Sequence, residues 1–299
     1  MFYSWVKITN KMVQKAIKQI HLTKVINGKS CAEADSLAIE EPLEIRLEFG
    51  LPGNRRIQNI SVTMRTPGND AELAAGFLFT EGIVKDTKDI AGIDYCFIAC
   101  AENKENVIQV SLKEGVIPHL QNTERNFYTT SSCGVCGKGS INAIRTVSTF
   151  IASADDIIID GNLLYMLPDI LRQHQAVFED TGGLHASALF DLAGNLLLSR
   201  EDVGRHNALD KLIGAALNKG WLPLNKSILL LSGRASFELV QKAAMAGIQI
   251  IAAVGAPSSL AVDLADEFNI TLAGFLRGNR FNIYTSPHRI LIPIHENTH

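Results

Sequence analysis

Residues Ser227 to Leu276 read SILLLSGRASFELVQKAAMAGIQIIAAVGAPSSLAVDLADEFNITLAGFL. Three short apolar runs (Ser227 to Leu231, Ile250 to Val254, Thr271 to Leu276) alternate with two stretches of helical periodicity, Phe237 to Ala246 and Ser259 to Glu267. Short continuous apolar runs read as strands buried on both faces, and their alternation with helices predicts a sheet covered by helices. Upstream, His185 to Asp191 and Leu196 to Ser199 read as a strand pair turning at Ala193-Gly194-Asn195, followed by a long helix from about Arg205 to Asn218. Ser140 to Phe150 and Leu163 to Gln173 read as further helices.

Before Lys138 the texture is different. Leu43 to Phe49 and Ile57 to Met64 alternate like half-buried strands around the turn Leu51-Pro52-Gly53-Asn54, and Ile93 to Ile98, Val107 to Leu112 and Phe127 to Thr130 add strands. One helix, Leu73 to Thr80, is expected there, capped by Asn69 or Asp70 and ending near Gly82. The expected fold is α/β with a smaller strand-rich N-terminal part. Its divisions are a basic extension (1–30), the strand-rich part (31–130) and an α/β domain (131–299) that opens on a cysteine loop.

A net charge of −3 over 299 residues gives no global attraction to nucleic acid or anionic membrane, so neither is an expected partner. No apolar run reaches the length of a membrane helix, and lysines interrupt the apolar residues of the basic start, so it lacks a secretory h-region. Val13, Ile17 and Ile20 recur at helical spacing and suggest a short amphipathic helix. Five unevenly spaced cysteines do not make a disulfide framework, which points to a reducing, cytoplasmic compartment.

The sharpest local motif is Thr130-Ser131-Ser132-Cys133-Gly134-Val135-Cys136-Gly137-Lys138-Gly139, between an expected strand and an expected helix. A nearby helix N-terminus and Lys138 favour thiolates, the glycines leave the thiols approachable, and either sulfur can attack a disulfide or persulfide on the other. Spacing alone leaves several readings open. Cys133 and Cys136 could join Cys96 and Cys100 around zinc, although Cys96 stands in an apolar strand setting. They could exchange disulfides, relay sulfur, or serve structure alone.

Three turns carry small residues where main-chain amides can meet an anion: Ser232-Gly233-Arg234-Ala235-Ser236, Gly255-Ala256-Pro257-Ser258-Ser259 and Asp202-Val203-Gly204-Arg205-His206. Turns from consecutive α/β units share one sheet edge, where ligands of open sheets bind. Phe275-Leu276-Arg277-Gly278-Asn279-Arg280 adds two guanidinium groups around a glycine, suited to a pyrophosphate. Neither a P-loop nor a G-x-G-x-x-G fingerprint occurs. His185 is expected to cap a strand end or line the ligand cleft. Ser187 stands where a zinc deaminase needs glutamate, which argues against deamination. His206 and Asp210 are spaced as an ordinary helix-surface pair.

Taken together, the segments Glu72 to Leu78, Cys133 to Gly137, Thr181 to Ala186 and Glu201 to Ala208 resemble the FdhD/NarQ family, as do Ser232-Gly233-Arg234, Gly255-Ala256-Pro257 and Phe275 to Arg280. The similarity runs from roughly Leu43 to Ile292 and leaves the first ~30 residues outside it. The resemblance implies a cytidine-deaminase-like three-layer domain without its zinc, in a homodimer. It implies a sulfur carrier that accepts a persulfide from a cysteine desulfurase and passes sulfur to bis-molybdopterin guanine dinucleotide, for formate dehydrogenase. On that basis Cys133 carries the persulfide and Cys136 is its relay partner. Phe275, Leu276, Arg277, Gly278, Asn279 and Arg280 then contact the guanine dinucleotide.

Overall fold

The computed structural model describes residues 15–96, 105–120, 150 and 157–292. The expected strand at Phe127 to Thr130, the expected helix at Ser140 to Phe150 (its last residue apart) and the boundary at residue 130 lie outside them.

The chain is extended, not helical, from Ile17. β1 (Ile17–Ile26) and β2 (Lys29–Ala38) form an antiparallel hairpin that turns at Asn27-Gly28, both with positive φ (49° and 78°). Asn-Gly is the residue pair that a tight primed hairpin turn selects, and it overrides the weak helical spacing at Ile17 and Ile20, whereas Val13 lies outside the described residues. Lys24 pairs with Cys31 and Val25 with Ser30, so the expected division at residue 30 falls inside this one hairpin. Its base is anchored by Ala16, Ile17 and Ala38 against Val177, Phe178 and Leu184.

β3 (Glu41–Leu51) and β4 (Asn54–Arg65) follow, joined at Pro52-Gly53 as expected. With β5 (Ile90–Tyr95) and β6 (Val107–Leu112) they make a four-stranded sheet in the order β4-β3-β6-β5. Strand alternation turns Leu43, Ile45 and Leu47 of β3 and Ile108, Val110 and Leu112 of β6 inward, onto α1 (Asp70–Thr80). Asn69 takes the N-cap position in a left-handed conformation (φ 58°) without a side-chain cap. Asp70 is instead gripped by buried Arg65, Nε to Oδ1 at 3.1 Å and Nη2 to Oδ2 at 3.0 Å, and accepts the Tyr95 hydroxyl at 2.8 Å. Burial, with the Asp70 charge beside it, pushes the Tyr95 phenol well above its ordinary pKa.

The second half follows the sequence reading closely. β7 (Ile159–Asp160), α2 (Gly161–Arg172) and α3 (Ala176–Thr181) lead into β8 (His185–Asp191) and β9 (Leu196–Asp202), then α4 (Arg205–Asn218). β10 (Ser227–Leu231), α5 (Phe237–Met245), β11 (Ile250–Ala253), α6 (Ser259–Glu267), β12 (Thr271–Arg277), β13 (Arg280–Thr285) and β14 (Ile290–Leu291) complete the order. Six strands form one sheet, β13-β12-β11-β10-β8-β9, parallel through β10-β11-β12 and antiparallel at both ends. Ile228, Leu230, Ile250 and Ala252 face Leu164, Leu167 and Leu171 of α2. Leu229, Leu231, Ile251 and Ala253 face the other way, into a core shared with α4, α5, α6, α1 and the small sheet. This shared core binds the strand-rich part to the α/β domain.

The join is a helix crossing at two glycines. A Cβ on Gly76 of α1 would collide with the Asp210 carbonyl, and one on Gly214 of α4 with the Glu72 carbonyl. Only residues without a side chain let these backbones meet. Arg200 of β9 adds a two-pronged ion pair to Glu72, Nε to Oε2 at 2.5 Å and Nη2 to Oε1 at 2.8 Å. Gly214→Ala is expected to destabilise the fold by about 2–3 kcal/mol, because backbone and not a pliable side chain has to move. Urea denaturation checks this, and a loss below about 0.5 kcal/mol would show that the helices can slide apart freely. Among the described residues no helix is long and apolar enough to cross a membrane.

Candidate functional site

Parallel pairing brings the C-terminal ends of β10, β11 and β12 to one edge of the sheet. β8 begins there at His185, β9 ends there at Asp202, and β13 begins there at Arg280. The three turns singled out in the sequence therefore share a rim with the Phe275 to Arg280 hairpin. Main-chain bonds zip the rim: Gly255 N–H to the Gly233 carbonyl at 2.9 Å, Ser258 N–H to Ala235 at 3.0 Å and Phe275 N–H to Gly255 at 3.0 Å. A Cβ on Gly255 would stand 3.0 Å from the Gly233 carbonyl oxygen, and one on Gly274 would stand 2.9 Å from Pro257 Cδ. Part of the small-residue signal thus serves turn-on-turn packing. Ser232 and Ser258 are structural too: their hydroxyls accept Ala186 N–H at 2.8 Å and Ala261 N–H at 3.3 Å.

The rim is rich in uncompensated positive charge. Arg205 is half-buried, Arg234, Arg277 and Arg280 are exposed, and among the described residues none of the four carries an ion pair. Arg277 and Arg280 are cross-strand partners around Gly278, whose φ is +55°. Like charges placed opposite one another destabilise a hairpin, so the arrangement suits an anion that bridges them. Next to them the β12–β13 register breaks between Gly274 and Arg277, and Phe275 takes φ +56° with its side chain 38% exposed. A bulky residue held in the left-handed region is strained, and here the strain presents an aromatic face beside the arginines. Leu276 is different: its side chain is fully buried in the core beneath α2, so any ligand contact it makes comes through its main chain.

Tertiary structure revises one histidine reading. His206 and Asp210 are both buried and do not pair. His206 Nε2 meets Glu238 Oε2 of α5 at 2.8 Å and Ser236 Oγ at 3.3 Å, a partnership the sequence reading missed because no local pattern signals it. Asp210 is bound to Lys242 instead. His185 lies at the rim as expected, with its Nδ1 3.2 Å from where a Gly233 Cβ would stand. Burial, then the nearby Arg205 and His206 charges, push its imidazole below the ordinary pKa, against a smaller upward pull from Asp202.

Cys133, Cys136 and Cys100 lie outside the described residues. Cys96, half-buried at the end of β5, donates its thiol to Gln109 Oε1 at 3.3 Å, and Cys31 is exposed on β2. No group of three or more histidine, cysteine or acidic side chains is placed to hold a metal among the described residues.

The fold is an open α/β sheet whose strand-end rim, the edge where such sheets commonly bind ligands, carries unpaired arginines and a strained aromatic. The model of the FdhD/NarQ family matches residues 38–291. The chain is 52% identical over 273 residues to the sulfur carrier protein FdhD of Streptomyces coelicolor, covering 90% of this chain and 94% of that one. It is 51% identical over 272 residues to the protein of the same name from Mycolicibacterium paratuberculosis (90% and 97%), and 42% identical over 274 residues to that of Sulfolobus acidocaldarius (92% and 98%). A crystal structure described as that of a formate dehydrogenase accessory protein from Desulfotalea psychrophila superposes with a TM-score of 0.66 at 25% identity, covering 92% of this chain and all of the other. The chain belongs to the FdhD/NarQ family.

Proposed function

We propose that this protein is a sulfur carrier for formate dehydrogenase maturation, and that its cargo is bis-molybdopterin guanine dinucleotide held at the strand-end rim. The observation that carries the rim assignment is the opposed, unpaired Arg277 and Arg280 beside strained Phe275. Guanidinium forks fit phosphate oxygens, and an exposed aromatic face fits a purine. The carrier role is supported by the names of relatives at about 50% identity and by the chemistry of the Cys133–Cys136 loop. The mixed sheet, parallel at its centre and antiparallel at both ends, also supports a reading of deaminase-like ancestry, and we read the protein as a cytoplasmic homodimer.

A Cys133 thiolate attacks the outer sulfur of a desulfurase persulfide. That S–S bond breaks, the desulfurase thiolate leaves, and Cys133 holds the persulfide with no net redox change. Attack by Cys136 on the Cys133 Sγ then expels hydrosulfide to the cargo, its two electrons coming from formation of the Cys133–Cys136 disulfide. An external thiol reductant reopens that disulfide. The first test is intact-mass and peptide analysis after incubation with a cysteine desulfurase and cysteine. A one-sulfur gain on the Cys133–Cys136 peptide, discharged by cofactor acceptor, supports the carrier. No gain, with guanine dinucleotide still bound, would move the assignment to a cofactor chaperone that transfers no sulfur.

The rim assignment has its own test. Removing one charge of an opposed pair relieves repulsion, so Arg280→Gln is expected to raise the stability of the free protein by about 0.5 kcal/mol. The same change removes a charge-assisted contact and should weaken GDP binding by ~10–100-fold. A thermal melt and calorimetric titration on one preparation check both signs. Unchanged GDP affinity would remove the hairpin from the site.

A further inference from the structure

A second cluster of positive charge stands at the far end of the same rim, away from the Arg277–Arg280 hairpin. α4 starts at Gly204, which offers no capping side chain, and its first turn holds Arg205 and His206 with no acidic residue. Cations there oppose the helix dipole, whose N-terminal end favours negative charge. His185 lies beside them and feels both charges. The Asp202 carboxylate of the corner is committed elsewhere. Asp202 Oδ1 accepts Gly204 N–H at 2.8 Å and Asn207 Nδ2 at 3.2 Å, while its Oδ2 accepts Thr66 N–H at 3.2 Å and Lys211 Nζ at 2.6 Å. Glu238 Oε2 meets His206, while its Oε1 is buried without a partner among the described residues. His206 itself is only 6% exposed, and its Nδ1 is a buried polar atom without a partner among the described residues. Native proteins rarely leave such an atom unmatched unless a ligand or solvent meets it.

We propose that His185, Arg205 and His206, with the N-terminus of α4, form a second subsite for a phosphate group, separate from the Arg277–Arg280 hairpin. The inference extends the reading of this rim as the surface that holds the cargo, and it does not depend on sulfur transfer. From β12 to β8 there are three strand spacings of ~4.8 Å, so the two cation clusters are about 15 Å apart along the edge. Neighbouring phosphates of one pyrophosphate cannot span that gap. The two subsites therefore take separate phosphate groups, as a ligand with two phosphorylated arms would supply. Glu238, accepting from Nε2, fixes the His206 ring and leaves Nδ1 as its buried nitrogen without a partner among the described residues. An anion placed beside His185 offsets Arg205 and His206 and favours its protonation. The groups that set this balance are Arg205, His206 and Asp202 around His185, and Glu238 against His206. Phosphate binding then takes up protons, and affinity falls as pH rises through the histidine range.

Histidine-selective NMR of the full chain, titrated with inorganic phosphate across about pH 5–8, tests the assignment. Saturable binding that raises the His185 titration midpoint is expected. Arg205→Gln should weaken it by at least ~10-fold, through loss of a charge-assisted contact. The Arg277→Gln/Arg280→Gln double variant, which removes the other cluster, should leave it intact. Preloading with GDP separates the two sources of phosphate. Phosphate still binding beside bound GDP supports two subsites, whereas its displacement shows one shared site and overturns the proposal. Absence of any saturable response at His185 or His206 overturns it as well, and leaves the sulfur-carrier reading standing on its mass-spectrometric test.

Discussion

Cys133→Ala is expected to reduce formate dehydrogenase maturation to background while guanine dinucleotide affinity stays unchanged. Alanine cannot attack the desulfurase persulfide, and the Cys133 position is the proposed point where the donor's S–S bond is exchanged. The proposed rim contacts, Arg277, Arg280 and Phe275, come from a different stretch of the chain. Binding and transfer should therefore separate cleanly. Cys136→Ala is expected to fail differently. It should load one sulfur on Cys133 and keep it, because no neighbouring thiolate remains to close a disulfide and expel hydrosulfide. Mass analysis of both variants after desulfurase treatment, beside a maturation assay, distinguishes the roles. Maturation surviving in Cys133→Ala would assign the protein to cofactor holding alone, and a stable persulfide on Cys136 of that variant would reverse the order of the two thiols.

The second large effect is on stability. Lys242 of α5 reaches into the α1–α4 crossing, with its ammonium 3.0 and 2.9 Å from the Asp210 carboxylate oxygens, 2.9 Å from Thr80 Oγ1 and 3.3 Å from Glu81 Oε1. The Thr80 hydroxyl donates to Asp210 Oδ1 at 2.8 Å. Burial works against the Lys242 ammonium, but the Asp210 and Glu81 carboxylates outweigh it and hold its pKa above the ordinary lysine value. Lys242→Met keeps the side-chain volume and leaves Asp210 buried without its cation, which is expected to cost about 3–5 kcal/mol. The loss should shrink in acid. Burial already pushes the Asp210 carboxyl upward, and removing Lys242 takes away its main opposing pull. A folded-state pKa above the unfolded value of about 3.9 means that the folded form binds the proton more tightly. The variant's stability is then greatest at low pH and falls as pH rises through the folded pKa. Denaturant titrations at several pH values check the sign, and Lys242→Met/Asp210→Leu should recover most of the loss. A deficit that is the same at every pH would mean that the ionised carboxylate is not its source.

Most of the α/β half was legible in the chain, for a local reason. Helix and strand periods, continuous apolar runs and Gly- or Ser-marked turns are written over neighbouring residues, so α4 appears at Arg205–Asn218 and β10 at Ser227–Leu231 where their spacing predicts them. Parallel order then follows from the alternation of strands and helices and brings the Ser232–Ser236 and Gly255–Ser259 turns to one edge, where the antiparallel β8–β9 pair adds the Asp202–His206 turn. The β1–β2 hairpin carried a local signal too, in Asn27-Gly28, although the lysine-interrupted apolar residues before it suggest a helix. Other features arise only when distant segments meet. Nothing near His206 names Glu238 as its partner, and i, i+4 spacing favours Asp210, which the fold gives to Lys242. Gly76 and Gly214 look like unremarkable helix glycines until α1 crosses α4 at backbone contact. Leu276 sits inside the motif proposed to face the ligand, yet the break in β12 register sends its side chain into the core and leaves Phe275 outside. Most elements of the α/β half, their order and the side chains they carry are readable along the chain, because they depend on residues that are sequence neighbours. Which charges are matched and which stay unpaired is set by the fold, because charge pairing depends on distance in space.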